Sequence, residues 1–401
     1  MRKKVAFVCN DCGADHSKWQ GQCTDCGAWN TLSEVRISGN KSPASRIQNL
    51  RVGESESQHT KFPRVLSDIN VEEVARISTG FKELDRVLGG GIVPGSVTLL
   101  GGSPGAGKST LLLQFACELS GTAKILYVSG EESIQQVALR ATRLNLPREN
   151  LCLISETDLH HILEVAKDVK LKPDLIIIDS IQVMFLEELS AAPGGISQVR
   201  ECSALLTQFA KQSGIALILV GHVTKDGSLA GPKVLEHIVD CSLLLEGDET
   251  SRYRTLRSQK NRFGAVNELG IFAMTDLGMR EVRNPSAIFL DRSGQSSAGS
   301  VVTVVWEGTR PLLVEIQALV AASALENPRR LAVGMDQNRV SMLVAILHRH
   351  GGVSVLSDDI FTNVVGGIKV LETSADLALI LSIVSSMKDF CLPSDMIVFG
   401  E

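Results

Sequence analysis

The sequence predicts an α/β protein built in successive parts, and three observations predict it. Two C-x2-C pairs stand within the first 30 residues. From about residue 66 to 284, apolar runs of buried-strand type alternate with glycine loops and helical patterns, the rhythm of a mostly parallel sheet. After that the pattern changes to period-two alternation followed by helical spacing, an α+β arrangement. The expected parts are a cysteine ribbon over 1–35, a flexible linker over 36–65, a P-loop core over 66–284 and a further domain over 285–401. A chain of 401 residues is itself too long for one core, at roughly 100 to 200 residues per domain.

Composition narrows the classes. Hydrophobic residues at 44% and charged residues at 21% are globular values, and an aromatic share of 4% leaves the core to Leu, Ile and Val. A net charge of -5 argues against binding nucleic acid through bulk positive charge, so any such contact must be local. No apolar run approaches the roughly 18 to 20 residues that span a bilayer, and the start runs into cysteines without a signal-peptide core. The expected compartment is the cytoplasm, which keeps the nine cysteines reduced as thiols or metal ligands.

Cys9, Cys12, Cys23 and Cys26 form C-x2-C-x10-C-x2-C, with Gly13 and Gly27 directly after the pairs. Two such knuckles let four thiolates converge on one Zn2+, and the glycines let the chain turn beneath it. Four protein ligands leave no open position, so the zinc is expected to be structural. His16, the nearby rival ligand, is expected at the surface. Trp19 and Trp29 are expected to pack the small module, the alternative being a stacking face. The other five cysteines, Cys117, Cys152, Cys202, Cys241 and Cys391, show no ligand spacing and read as core.

Residues 38–61 are polar and broken by Gly and Pro, which gives the linker. The centre of the chain is Gly102, Ser103, Pro104, Gly105, Ala106, Gly107, Lys108, Ser109 and Thr110, between an apolar strand run and an apolar helix run. This is G-x4-G-K-[ST] in its required strand, loop and helix context. Its main-chain N–H groups and the helix start surround phosphates, Lys108 reaches the β- and γ-phosphates, and Ser109 ligates Mg2+. No guanine-specifying Asn-Lys-x-Asp follows, so the nucleotide is read as ATP.

The run 174–180 is a buried strand ending in Asp179, where the acid that holds Mg2+ is expected. The run 125–132 ends in Glu131 and Glu132. Glu131 is the expected general base for the attacking water and Glu132 the second candidate, unless both cap the next helix. A third strand, 216–221, ends at His222 and Thr224, where a polar group could sense the γ-phosphate. Between 251 and 267 stand Arg252, Arg254, Arg257, Lys260 and Arg262, and no acid. Such a stretch can grip DNA backbone, or Lys260 and Arg262 can reach the γ-phosphate of a neighbouring subunit.

The ribbon, the string G-F-K-E-L-D-R-V-L-G-G-G-I from Gly80, the P-loop and above all Lys260-Asn261-Arg262-Phe263-Gly264 together resemble the RadA (Sms) family of bacterial DNA recombination and repair ATPases, along essentially the whole chain. The resemblance implies a RecA-like core, a hexameric ring acting on single-stranded and branched DNA alongside the recombinase RecA, and branch migration or unwinding. It also implies channel loops at 189–197 and 225–233, with Lys225 and Lys233 as backbone contacts. The region after 285 resembles the proteolytic domain of Lon protease, whose activity uses a Ser-Lys dyad. Ser374 aligns with the nucleophile, but Glu372, Thr373 and Asp376 replace the glycine-rich surround, and the lysine is expected beyond Glu401. The expected role is therefore oligomerisation and DNA binding by a domain that is C-terminally incomplete. Two other classes remain: a RecA-like ATPase that signals through protein contacts, and an ATP-dependent peptidase.

Overall fold

The computed structural model describes residues 4–9, 14–16, 18–37, 75–222, 234–247, 252–290, 297–325, 327–393 and 395–401. The chain divides into two compact units, Met1–Glu281 and Val282–Glu401. The expected linker falls almost wholly outside the described residues, as do Cys12, Thr224, Lys225 and Lys233.

Unit one begins with a three-stranded antiparallel sheet, β1 (Lys4–Cys9), β2 (Asp15–His16) and β3 (Leu32–Ile37), in the order β2-β1-β3. Next come α1 (Lys82–Leu88), β4 (Val97–Gly102), α2 (Lys108–Leu119), β5 (Ile125–Ser129), α3 (Ile134–Arg143), β6 (Cys152–Ser155) and α4 (Leu159–Ala166). They are followed by β7 (Leu175–Asp179), α5 (Ile196–Ser213), β8 (Ala216–Val220), α6 (Val234–Ile238), β9 (Cys241–Glu246), β10 (Tyr253–Asn261), β11 (Leu269–Thr275) and β12 (Gly278–Glu281).

β4 to β12 make one nine-stranded sheet in the order β12-β11-β10-β9-β4-β8-β7-β5-β6. The six strands from β9 to β6 in that order run parallel, and the β9-β10-β11-β12 end is antiparallel. The reason lies in composition. β4, β5 and β8 are buried along their whole length, and β7 along all but its last residue, because helices cover both faces, so they read as continuous apolar runs. One core layer packs Phe115, Tyr127, Leu243 and Phe272 on one side, and another packs Leu159, Ile162, Leu206 and Leu219 on the other. Helix ends follow local chemistry: Ser133 and Gln136 form a capping box on α3, Asp158 caps α4, and Gly214 closes α5 in a left-handed turn.

Unit two holds β13 (Ser300–Glu307), β14 (Arg310–Ala322), β15 (Arg330–Val333), α7 (Gln337–Gly351), β16 (Asp358–Val364) and α8 (Asp376–Lys388). Its sheet has the order β13-β14-β16-β15, with only β15 and β16 parallel. Beyond α8, Ile397 forms an isolated parallel bridge with Val302 on β13.

Two cysteines depart from the core expectation. Cys152 is exposed because β6 is the last strand of the sheet, and Cys391 because it follows the last helix. Cys117, Cys202 and Cys241 are buried, and burial pushes their thiols up to about 11, about 12 and about 12. Brief treatment of the native protein with iodoacetamide, read by peptide mass spectrometry, should modify Cys152 and Cys391 and spare those three until denaturant is added. Early labelling of Cys241 would contradict the packing of β9.

Glu156, just beyond β6, accepts from His161 Nδ1 at 2.6 Å and from the Thr157 and Asp158 amides at 2.7 and 3.0 Å. The His161 contact and then the two amides bring its carboxyl down to about 2, and the same contact raises His161 above the usual imidazole value. The depressed carboxyl contributes stability that is full above about pH 4.5 and is lost as pH falls toward 2. The raised imidazole contributes stability that is full below about pH 6.5 and is lost as pH rises through its folded value. Urea unfolding of wild type and Glu156→Gln should therefore differ most near pH 5 to 6, converge as pH falls toward 2, and narrow only in part as pH rises through the His161 value, because the two amide contacts persist. An equal gap at every pH would show that the pair is not formed.

Candidate functional site

β4 lies inside the sheet between β8 and β9, and the glycine loop leaves its carboxyl end. Gly102 can sit there only as glycine, because a Cβ would stand 2.6 Å from the Leu245 carbonyl oxygen. Gly107 takes φ 102° and caps α2, with the Met274 and Met279 methyls filling the space of a side chain. Ser103, Pro104 and Gly105 are exposed at the mouth, Ala106 is buried beneath it, and Ser109 and Thr110 follow half-buried on the first turn of α2.

Lys108 opens the helix at 5% exposure. Its Nζ donates to the Gly102 and Ser103 carbonyls at 2.7 and 3.1 Å and lies 3.3 Å from His222 Nδ1. Burial lowers its pKa, and the charges of Asp179 and Glu131 oppose that. The other ring nitrogen of His222, Nε2, lies 3.3 Å from Glu131 Oε1, so the imidazole stands between the lysine and the acid.

The two acids come from adjacent parallel strands. Asp179 ends β7, and its Oδ2 accepts from the Tyr127 hydroxyl at 2.7 Å. Tyr127 is fully buried on β5, and burial and then the charge of Asp179 hold its hydroxyl protonated. Glu131, just after β5, also accepts from the Ser180 hydroxyl at 2.5 Å. Burial raises the Glu131 carboxyl, but the Ser180 and His222 hydrogen bonds and the charges of His222 and Lys108 outweigh it and leave it below the usual value. Glu131 is thus ionised at neutral pH beside the phosphate-loop lysine. Glu132, the second candidate base, is diverted: its Oε1 pairs with Arg140 on α3 and its carbonyl caps Ser129. Tyr127 and Ser180 are contributors that motif reading missed, since neither belongs to a motif and only strand pairing brings them to the acids.

A cleft of about 460 Å³ adjoins the helix start, lined by Thr110, Arg143, Leu144, Met274, Thr275, Asp276 and Gly278.

β10 corrects one expectation about the basic stretch. Residues 254, 256 and 258 face inward and 253, 255 and 257 outward, as strand alternation requires. Arg254 therefore enters the core at 5% exposure, and its Nε donates to the Ala106 carbonyl at 3.1 Å. It is a support of the phosphate loop and not a surface for DNA. Arg252 is exposed and Arg257 half-buried on the outer face.

The register of β10 shifts between Ser258 and Lys260, and the strand ends in the Lys-Asn-Arg-Phe-Gly turn. Lys260 Nζ donates to the Val239 carbonyl at 2.8 Å and to the Glu236 carbonyl, closing the end of α6. Arg262 is 56% exposed and pairs at 3.2 Å with Asp240, a buried carboxylate that also takes Lys211 Nζ at 2.5 Å and the Val97 amide at 3.0 Å. Asn261 holds the turn on α1: Nδ2 donates to the Val87 carbonyl at 3.2 Å and Oδ1 accepts from the Phe263 amide at 2.8 Å. Arg76 donates to the Phe263 carbonyl at 2.9 Å, and Gly264 lies so close to Gly89 that its Cβ would be 2.8 Å from the Gly89 Cα.

In the ribbon, the sulfurs of Cys9, Cys23 and Cys26 lie within 4.8 Å of one another. The Cys9–Cys26 separation is 3.7 Å, and a tetrahedron with Zn–S bonds of about 2.3 Å has edges of about 3.8 Å, so the donors fit zinc. His16 is not the surface residue expected: half-buried, its Nε2 lies 3.4 Å from Cys23 Sγ and its Nδ1 3.1 Å from the Gln20 amide nitrogen. Trp19 and Trp29 are 58% and 69% exposed, the reverse of packing. In unit two, the Ser374 hydroxyl donates to Glu372 Oε2 at 3.0 Å and Asp376 is paired with Arg339. No helix among the described residues is long and apolar enough to cross a membrane.

The chain is similar to known proteins along most of its length. Residues 63–228 match a family described as an AAA domain, and residues 7–34 a rubredoxin metal binding domain. The chain is 61% identical over 398 residues to the DNA repair protein RadA of Escherichia coli (strain K12), covering 99% of this chain and 86% of that protein. It is 47% identical to the DNA repair protein RadA of Bacillus subtilis (strain 168), covering 97% and 83%. Among solved structures, the KaiC-like protein PH0186 of Pyrococcus horikoshii OT3 matches 52% of this chain and 99% of its own at 21% identity, with a TM-score of 0.44.

The Gly89–Gly264 contact is backbone against backbone, with no flexible group to move aside. Gly264→Ala should cost about 1 to 3 kcal/mol in urea unfolding and leave ADP binding within about twofold. Unchanged stability would mean that the turn does not dock on α1.

Proposed function

The chain belongs to the RadA family of DNA repair proteins, and from that premise we propose that it is a DNA-stimulated ATP hydrolase that processes branched recombination intermediates alongside RecA. The observation that supports this most is the meeting of Lys108, Asp179, Glu131 and His222 at the carboxyl ends of four adjacent parallel strands, where doubly wound sheets bind ligands.

In this reading Lys108 exchanges its loop carbonyls for the β- and γ-phosphates, a favourable trade because an anion binds a buried ammonium more strongly than neutral carbonyls do. The residues that would hold Mg2+ are Ser109 and Asp179, and the ion would neutralise charge developing on the phosphates. Tyr127 keeps Asp179 aimed. Glu131, ionised and turned toward Lys108, accepts the hydrogen bond of the attacking water and then its proton. The cleft beside Thr110 is of a size to take the nucleoside, with Arg143 and Asp276 as its polar groups.

Of the two trans-finger candidates, Arg262 fits the role better. It is the more exposed and keeps donors beyond its Asp240 contact, whereas Lys260 is committed to carbonyls of its own chain. A ring of subunits, hexameric in the family resemblance, would bring Arg262 to a neighbour's phosphates. Arg252 and Arg257, with Lys225 and Lys233, remain the proposed DNA contacts. Cys9, Cys12, Cys23 and Cys26 hold a structural zinc, and the exposed Trp19 and Trp29 offer aromatic faces to a partner or a base. Unit two serves as a Lon-like platform for assembly and DNA; Ser374 bonded to a carboxylate gives no support to peptidase chemistry.

ATP turnover measured with and without single-stranded DNA tests the reading. Glu131→Gln should lower turnover about 100-fold or more while ADP still binds, and Lys108→Ala should lose both. Arg262→Ala should lose DNA-stimulated turnover, with Lys260→Ala less affected. Wild-type turnover indifferent to DNA would sink the motor reading and favour an ATPase that signals through protein contacts.

A further inference from the structure

The structure assigns to Arg254 a positioning role in nucleotide binding: it sets the shape of the phosphate loop from behind. This rests on the ATPase reading and adds to it a residue outside the phosphate-loop motif, contributed by a strand 148 positions downstream of the loop residue it holds.

The argument starts from peptide geometry. In a planar trans peptide the carbonyl and the next residue's N–H point in opposite directions. The Ala106 carbonyl is drawn into the core by Arg254 Nε at 3.1 Å, so the Gly107 N–H of the same peptide unit points away from the core, toward the mouth of the loop. Gly107 is the residue before Lys108 and the N-cap of α2, where an inward-turned donor would be lost to phosphate. Arg254 thus fixes one donor of the cradle, and its buried charge adds an attractive field for an anion.

The surroundings are shaped around this side chain. Gly247, directly after β9, stands where a Cβ would meet Arg254 Cδ, with the Tyr253 carbonyl oxygen 3.0 Å away, so its lack of a side chain leaves a passage for the arginine. Arg254 Nη1 donates back to that Tyr253 carbonyl at 2.9 Å, which fixes the plane of the group. A planar fork fixes the directions of both hydrogen bonds, whereas a lysine's donors rotate about one nitrogen at the end of a flexible stem. The same strand runs on to Lys260 and Asn261, so the loop and the Lys-Asn-Arg-Phe-Gly turn are held by one rigid element.

The test compares wild type, Arg254→Lys, Arg254→Met and Gly247→Ala, the last displacing the arginine while keeping its charge. Binding of ADP and of adenosine is measured by calorimetry, and unfolding by urea without nucleotide. Loss of a charged hydrogen bond in the cradle should weaken ADP binding about 10- to 100-fold in Arg254→Met and less in Arg254→Lys, leaving adenosine binding unchanged. Gly247→Ala should fall on the same side as Arg254→Lys. ADP affinity within twofold of wild type in Arg254→Met, or ADP and adenosine weakened equally, overturns the assignment. If Arg254→Met does not fold, Gly247→Ala decides by the same two ligands. Wild-type protein that binds no ADP overturns the ATPase reading itself, a result distinct from either.

Discussion

Main-chain N–H groups can surround a phosphate only where no side chain stands before them, and much of unit one follows from that requirement. The loop needs glycine at 102, where the Leu245 carbonyl leaves no room, and at 107, where the backbone turns left-handed into α2. A loop with so little side chain cannot hold its own shape. It is held instead by what surrounds it: β4 is pinned between β8 and β9, Met274 and Met279 press on Gly107, and Arg254 grips the Ala106 carbonyl. The antiparallel β9-β10-β11-β12 end of the sheet is therefore part of the phosphate site, since β9, Arg254, Met274 and Met279 all belong to it.

The same placement decides the acids. Strands β5, β7 and β8 all lie on one side of β4, so the residues that follow them arrive at one edge in fixed order. Each acid is then aimed by a hydroxyl from a neighbouring position, Tyr127 for Asp179 and Ser180 for Glu131. A hydroxyl is suited to this task because it orients a carboxylate without neutralising it. Pairing with a cation has the opposite effect, and Glu132 shows it: adjacent in sequence to Glu131, it is spent on Arg140 in the last turn of α3.

What could be read in the sequence was whatever depends on local pattern. The glycine loop, the strand that ends in Asp179, the paired cysteines and the alternating strands of β13 and β14 all carry their signal within a dozen residues. What could not be read depends on partners far along the chain. Charge alone groups Arg254 with its basic neighbours, whereas its parity with Leu256 and Ser258 turns it inward. The apolar neighbours of Cys152 suggest core, and only sheet order reveals that β6 is an edge. The spacing of His16 within the ribbon suggests a surface position, and only the fold of the ribbon brings its ring to Cys23.

The Lys-Asn-Arg-Phe-Gly turn shows how a motif divides between structure and chemistry. Asn261 and Gly264 are accounted for by docking: one bonds the end of α1 and folds the turn upon itself, and the other permits contact with Gly89. Lys260 closes α6, and its donors are directed at carbonyls. Only Arg262 is left largely in solvent, and even it is steadied by a carboxylate that is fixed by Lys211 and by the first amide of β4. A charge presented in this way has its direction set by Asp240, and Asp240 is set by the strand that carries the phosphate loop. Arg262 is thus anchored, through one carboxylate, to the amino end of the strand whose carboxyl end carries the phosphate loop.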